Sequence, residues 1–300
     1  MTNKKNNGEL TEVLSSSQKI YQPSKKIISR ANVKNYEAVL RQAAQDPLKF
    51  WAEAAQDIDW FKPWDKIIDT SHKPFYRWFI GAKCNLTYNA LDRHIKSKTK
   101  NKIAILWEDE TGRSRQYTYW QLYYEVNKLA NALRRQGLKK GDRLAIYLPN
   151  IPEIAIAMLA SAKIGAIHSV VYAGYSAMAL AERIKDGKAK ILFTADGSFR
   201  RGQVINLKEI ADQAVKECKT IKKVIVVKNN KKKINFNKKL DIWYHDFIKD
   251  QPTEAACAEM EAEDPAFVLY TSGTTSKPKG VVHVHGGYMV GVLRTIKWVF

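Results

Sequence analysis

Between Arg143 and Val227, apolar strand-like runs alternate with helical stretches, and this alternation narrows the possible folds more than any other feature of the chain. Arg143–Leu148 reads as a strand. Asn150 then stands as a helix N-cap, Pro152 falls in the first turn, and the helix runs to Ile164 and stops at Gly165. Ile167–Val171 is the next strand. Helix Ala177–Lys185, strand Ala189–Thr194, helix Val204–Cys218 and strand Lys223–Val227 continue the pattern. Alternation of this kind predicts an α/β fold, a mostly parallel sheet with helices on both faces. Ahead of it, Ile103–Trp107 and Arg115–Tyr119 read as paired strands joined by a turn at Thr111-Gly112. A helix from Trp120 to Gln136 follows and ends at Gly137. No internal repeat is evident.

The N-terminal third differs. Residues 1–20 are polar and predict a disordered tail. From Asn32 a helical pattern runs through Tyr36, Val39, Leu40, Ala43 and Ala44 toward Phe50, Trp51 and Ala54. An aromatic-dense segment follows, with Trp60, Phe61 and Trp64, then Phe75, Tyr76, Trp78 and Phe79. Rings at this density read as packing. The longest apolar stretch, Ile151–Ala173, is broken by Pro152, Glu153, Lys163, Gly165 and His168, so a helix followed by a strand fits better than a membrane span. No basic-then-apolar leader opens the chain, and Cys84, Cys218 and Cys257 form no metal or redox motif. A cytoplasmic protein with reduced thiols is expected.

The net charge of +20 raises the question of nucleic acid. Residues 1–30, 95–102 and 228–239 together carry +14 of it, in Asn- and Ser-rich segments that read as a tail and loops. Arginine interleaved with aromatic residues, as base stacking would need, is missing there, so no nucleic-acid partner is expected.

The stretch Tyr270–Gly280 (YTSGTTSKPKG) is the strongest chemical signal. Gly273, Pro278 and Gly280 let the backbone bend closely around an anion. Hydroxyls at Thr271, Ser272, Thr274 and Thr275 can donate to phosphate oxygens, and Lys277 and Lys279 add positive charge. The apolar run Ala266–Tyr270 before it reads as a buried strand. The loop would therefore sit at a strand's carboxyl end, where open α/β sheets bind ligands. It is not a Walker loop, which needs glycine directly before Lys-Ser/Thr. The plainer alternative is a hydroxyl-rich surface turn.

Other candidates carry plainer alternatives too. Asp196–Gln203 (DGSFRRGQ) places two arginines and a glycine before a helix, which suits either a phosphate or a solvated arginine pair in a capped loop. His168, in a near-continuous apolar strand, reads as a satisfied core histidine. His283 and His285 would share one face if Val281–His285 is a strand, but no third metal ligand is evident, and no metal site is expected.

The Tyr270–Gly280 stretch closely resembles the phosphate-binding loop of the adenylate-forming superfamily of acyl-CoA synthetases, luciferases and adenylation domains. Ser276 departs from that pattern, standing where the family's loop usually has glycine. The aromatic segment with Asn85–His94 resembles the N-terminal region that acetyl-CoA synthetase-type enzymes carry, and Ala166–Ser176 resembles their core. The resemblance implies an acetyl-CoA synthetase-type N-terminal region over 21–94 and an adenylation domain over 95–300. It implies ATP, with Mg²⁺ accompanying it, and coenzyme A as ligands. Thr271, Ser272, Gly273, Thr274, Thr275 and Lys279 would meet the ATP phosphates. Arg200, Arg201, Gly202 and Gln203 would meet coenzyme A, with Gln203 replacing a residue that is often basic.

The implied chemistry is AMP-forming acetate–CoA ligation. A carboxylate attacks the α-phosphate to give an acyl-adenylate and pyrophosphate, and the coenzyme A thiol then displaces AMP. The family's acyl pocket, hinge and catalytic lysine all lie past the chain's last residue. No catalytic residue is expected within it, and little turnover is expected from it alone. A second polypeptide supplying the remainder is one expected partner. Propionate or another short acid is the alternative substrate, and a non-catalytic polyphosphate-binding module is the alternative function.

Overall fold

A computed structural model describes residues 21–271 and 278–300, so the expected 1–20 tail lies outside the described residues. Leu48–Val292 form one compact unit. The segments up to Pro47 and from Leu293 form a second.

The larger unit is built on seven strands: β1 (Arg143–Ile146), β2 (Ile167–Val170), β3 (Ile191–Ala195), β4 (Lys223–Val227), β5 (Asp241–Trp243), β6 (Pro265–Thr271) and β7 (Lys279–Val284). They lie in the order β5-β4-β3-β1-β2-β6-β7. Every neighbouring pair is parallel except β6 and β7, which are antiparallel. The predicted α/β architecture is therefore present. Helices α1 (Tyr119–Arg135), α2 (Pro152–Lys163), α3 (Ala177–Gly187), α4 (Leu207–Lys216) and α5 (His285–Val299) complete the main frame. α1 packs on α2, and α3 on α4. The β1-to-β2 and β2-to-β3 crossovers run in opposite directions, and right-handed connection then puts α2 and α3 on opposite faces. With both faces covered, the central strand β3 is buried at every position.

Local chemistry explains most boundaries. Thr118 and Gln121 form a reciprocal capping box at the start of α1. Ser176 caps α3, accepting from the Ala179 amide at 3.3 Å. Gly137 and Gly165, at φ 87° and 74°, follow the ends of α1 and α2 in the left-handed region open to glycine.

Several expectations are corrected. Ile151, not Asn150, occupies the N-cap of α2, without a side-chain cap. The Asn150 carbonyl instead accepts from the Trp107 indole at 2.5 Å. The helix expected over Val204–Cys218 begins only at Leu207. Gln203–Ile205 is a strand that pairs with Ser198–Arg200. The helical pattern from Tyr36 is two helices, Tyr36–Gln45 and Pro47–Ala55. Proline removes an amide donor and disfavours helical backbone at Asp46 (φ −143°, ψ 82°). Val281–His285 is not one strand, because β7 stops at Val284 and His285 opens α5.

The aromatic segment packs as its composition implied. Trp60, Trp64 and Phe79 form a triangle with centroids 5.3–5.4 Å apart. Asn85 ties this region to the sheet layers. Its side chain is fully buried and donates to the carbonyls of Ala162 (3.0 Å) and Ala258 (2.9 Å), while its oxygen accepts from Thr87 and Tyr88. Replacing it by alanine removes the donor of the Ala258 carbonyl and the acceptor of the Thr87 and Tyr88 amides, while the Ala162 carbonyl keeps the Gly165 amide at 3.1 Å. We expect Asn85→Ala to cost about 3 kcal/mol, read as a lowered urea midpoint with an unchanged slope.

Candidate functional site

Because the strands are parallel, their carboxyl ends share one edge of the sheet, and the predicted ligand residues that are described, Arg200–Gln203, Thr271 and Lys279, lie in the connections at that edge. A cleft of about 540 Å³ opens at this edge. Its walls come from Leu148–Ile151 after β1, Tyr172–Gly174 after β2, the Ser198–Ile205 hairpin after β3 and Leu269 on β6. This is where the crossover direction reverses, the place at which open α/β sheets bind ligands.

Arg200 lines the cleft. Arg200, Arg201, Gly202 and Gln203 are all exposed, and they form a hairpin tip, not the helix entrance anticipated from sequence. Arg201 (φ 52°) and Gly202 (φ 74°) are both left-handed, the pattern of a two-residue hairpin turn. The Gly202 amide donates to the Glu110 carboxylate at 3.2 Å, so the turn already holds an anionic oxygen.

Thr271 and Lys279 are opposite partners at the ends of β6 and β7, both exposed. They close the hairpin whose loop carries the other predicted phosphate ligands. Ser272, Gly273, Thr274 and Thr275, together with Ser276 and Lys277, lie outside the described residues. Leu269 reaches the cleft from the strand that ends in Thr271, so Thr271 and the Arg200–Gln203 tip belong to one end of one sheet.

Sequence reasoning missed the wall that completes the cleft. The hairpin Ile103–Glu108 and Ser114–Thr118 brings Trp107, Glu108, Asp109 and Glu110 to it. Arg113 clamps this hairpin to its neighbours. It donates to Asp109 (2.7 Å) and to the Asn229 carbonyl (2.7 Å), and its guanidinium lies 5.5 Å from the Phe199 ring. Burial raises the Asp109 carboxyl, but hydrogen bonds from Thr111 and Arg113 outweigh it and bring the group to about 2. Asp196, 1 % exposed, fixes the opposite side. Its carboxylate accepts from the amides of Gly197, Asn229, Asn230 and Lys232 at 2.8–3.2 Å. Apart from the near pairs Asp109–Arg113 and Asp196–Gly197, no local pattern marks these residues as partners, since they are separated by 33 to 116 positions.

The histidines are structural. His168 is buried, stacks on Phe267 at 5.3 Å, and its Nδ1 lies 2.9 Å from Ser161 Oγ, whose proton goes to the Met158 carbonyl. His285 is fully buried, and its Nδ1 accepts from the Leu86 amide at 3.1 Å. His283 stacks on Phe267 at 4.5 Å. Among the described residues, no group of three or more His, Cys, Asp or Glu is arranged to hold a metal ion, and no helix is long and apolar enough to cross a membrane. Cys84, Cys218 and Cys257 are unpaired. Burial pushes Cys84 and Cys257 up to about 12.

The sequence model of the AMP-binding enzyme family matches residues 91–299, and that of the acetyl-coenzyme A synthetase N-terminus matches 36–90. The chain belongs to the AMP-binding enzyme family. Curated relatives include an acetyl-coenzyme A synthetase of Methanothrix thermoacetophila, 47% identical over 280 residues, which covers 93% of this chain and 42% of the relative. One from Helicobacter pylori is 42% identical over 299 residues, covering 97% and 45%. A solved acetoacetyl-CoA synthetase from Streptomyces lividans superposes with a TM-score of 0.83 at 26% identity, over 92% of this chain and 44% of that one. The chain thus spans less than half the length of each of these proteins, and what it resembles is their N-terminal portion.

The buried imidazoles of this AMP-binding enzyme make its stability acid-sensitive. Burial, then neighbouring His285, pushes His168 down to about 3, and burial brings His285 to about 4. Both lie below the unfolded value of 6.5. Below that pH the unfolded chain takes up protons that the fold refuses, so stability falls as pH drops from 6.5 toward 4. The slope is about 1.4 kcal/mol per pH unit for each histidine. Urea midpoints at steps through this window should show the loss, and His168→Leu should reduce the slope. An unchanged slope in that variant would mean the ring is already protonated in the fold.

Proposed function

We propose that this chain is the N-terminal part of an AMP-forming acetate–CoA ligase, converting ATP, acetate and coenzyme A to acetyl-CoA, AMP and pyrophosphate through acetyl-adenylate. The observation that carries this reading is the convergence of its two phosphate-suited clusters. The Thr271–Lys279 hairpin base and the Arg200–Gln203 tip open at one end of one parallel sheet. A cleft at that end is lined by Arg200 and by Leu269 of the strand that leads to Thr271. The acetate preference rests on the names of the relatives.

On this reading residues 21–94 are the N-terminal region and 95–300 the adenylation domain. Thr271, Ser272, Gly273, Thr274, Thr275 and Lys279 hold the β- and γ-phosphates of ATP and follow them as pyrophosphate departs. Arg200, Arg201, Gly202 and Gln203 hold phosphates of coenzyme A. Mg²⁺ arrives with the nucleotide. The work of these groups is positioning and charge stabilisation, the main terms in phosphoryl and nucleotidyl transfer. No described side chain is assigned to the bond-making steps. Turnover by these 300 residues alone is expected to be slight, and a second polypeptide carrying the remaining elements would restore it. Three unpaired thiols suit a reducing compartment such as the cytoplasm.

The test is Mg-ATP titration of the full chain together with acetate-dependent ATP–pyrophosphate exchange. Lys279→Ala should weaken Mg-ATP binding about 10-fold, the loss of one charged hydrogen bond. The Arg200→Ala/Arg201→Ala pair should weaken coenzyme A and leave Mg-ATP unchanged. If Lys279→Ala binds Mg-ATP like the parent, the phosphate-loop assignment is wrong.

A further inference from the structure

Tyr270 is the residue before Thr271, and its surroundings are more elaborate than packing requires. Its ring is half-buried, and its hydroxyl donates to the Asp186 carboxylate at 2.6 Å. Burial, then the Asp186 bond, raises the Tyr270 phenol, so the hydroxyl remains a donor at any ordinary pH. Asp186 and Gly187 are the last two residues of α3, the helix that crosses the sheet back from β2 to β3. One turn earlier, Arg183 is buried, with its guanidinium 5.6 Å from the Tyr270 ring and 4.5 Å from that of Tyr175.

One glycine lies tight against this ring and another beside its hydroxyl. Gly280, the cross-strand partner of Tyr270 on β7, lies so close that an added Cβ would come within 3.3 Å of the ring edge. At Gly187 an added Cβ would meet the hydroxyl at 3.7 Å. Tyr270 thus touches β7 on one side and the end of α3 on the other.

Asp186 is also out of place by local rules. A carboxylate in the last turn of a helix opposes the negative end of the helix dipole, and aspartate is a poor helix former. The side chain is exposed, so no core packing explains it. What it does in the structure is accept the Tyr270 hydroxyl. Local rules broken without a local gain mark positions that serve something else.

We propose that Asp186 and Tyr270 form a clasp that positions the hairpin base, Thr271 and Lys279, for the polyphosphate of a bound nucleotide. Both are positioning residues, acting through the strand ends that enter the loop. Arg183 seats the ring, and Gly280 lets the ring hold β7 as well as β6. The ligand part of the proposal rests on the phosphate-loop reading given above.

The experiment measures Mg-ATP affinity of the full chain for the parent, Tyr270→Phe, Asp186→Ala, the double variant and Lys279→Ala. It also measures amide exchange at Thr271 and Gly280 without nucleotide, and the thermal midpoint. Tyr270→Phe and Asp186→Ala should each weaken Mg-ATP about 3- to 10-fold and speed exchange at both amides. The double variant should be no worse than either single one, because the two groups act as one contact. The thermal midpoint of Asp186→Ala should stay level or rise, since alanine relieves the helix end, whereas a purely structural bond would lower it. If Lys279→Ala weakens binding while the clasp variants change neither affinity nor exchange, the clasp is refuted and the loop assignment stands. If Lys279→Ala has no effect on binding, the loop assignment fails and the ligand role of the clasp fails with it.

Discussion

A strand lying parallel to its neighbour must be reached by a crossover that returns the chain to the far end of the sheet. Six of the seven strands here obey that constraint, so their carboxyl ends all face one side. Connections leaving those ends can be short and polar while the crossover helices supply burial. The Arg200–Gln203 tip and the Thr271–Lys279 hairpin base lie among those connections. The one antiparallel step, β6 to β7, places a hairpin loop at that same edge, which a helical crossover would have carried away.

An edge made of loops needs tethers, and the tethers are polar. Asp196 takes four amides from two loops, and Arg113 joins two hairpins to the segment after β4. Asn85 binds the aromatic N-terminal region to the end of α2. Removing a partner of Asp196 or Asn85 would cost stability, because the group left behind is shielded from water, whereas the Arg113 side chain is exposed. The same logic accounts for Lys163 and Lys208, which are almost fully buried. Lys163 donates to Asp92 at 2.5 Å and lies 5.1 Å from the Tyr123 ring, and Lys208 donates to Asp212 and Asp241 at 2.5 and 2.9 Å. Such pairs are poor sources of net stability but tolerate few alternative arrangements.

Much of this was legible in the chain. The strands β1 to β4, the helices between β1 and β3, and the stop signals at Gly137 and Gly165 follow from apolar periodicity and cap chemistry, which act over a few residues. The misreadings share a cause. Gln203–Ile205 has the composition of a helix start, yet Arg201 and Gly202 fold it back on Ser198–Arg200, and pairing decides. His285 looks like a continuation of β7, but its amide bonds Asp264 and its ring bonds Leu86, so the chain turns into α5. The short strand β5 follows a lysine-rich loop and forms because β4 offers it a parallel edge.

The sequence by itself determined the alternation of strands and helices, the family and the chemical character of the Tyr270–Gly280 loop. Those depend on residue type and spacing over short windows. Only the tertiary structure decided that Glu110 reaches the Gly202 amide, that Arg113 clamps three segments, and that Asp186 meets Tyr270. Those pairs are 84 to 116 residues apart. Which of many exposed carboxylates meets which donor is settled by sheet order and crossover handedness, and no local pattern encodes either.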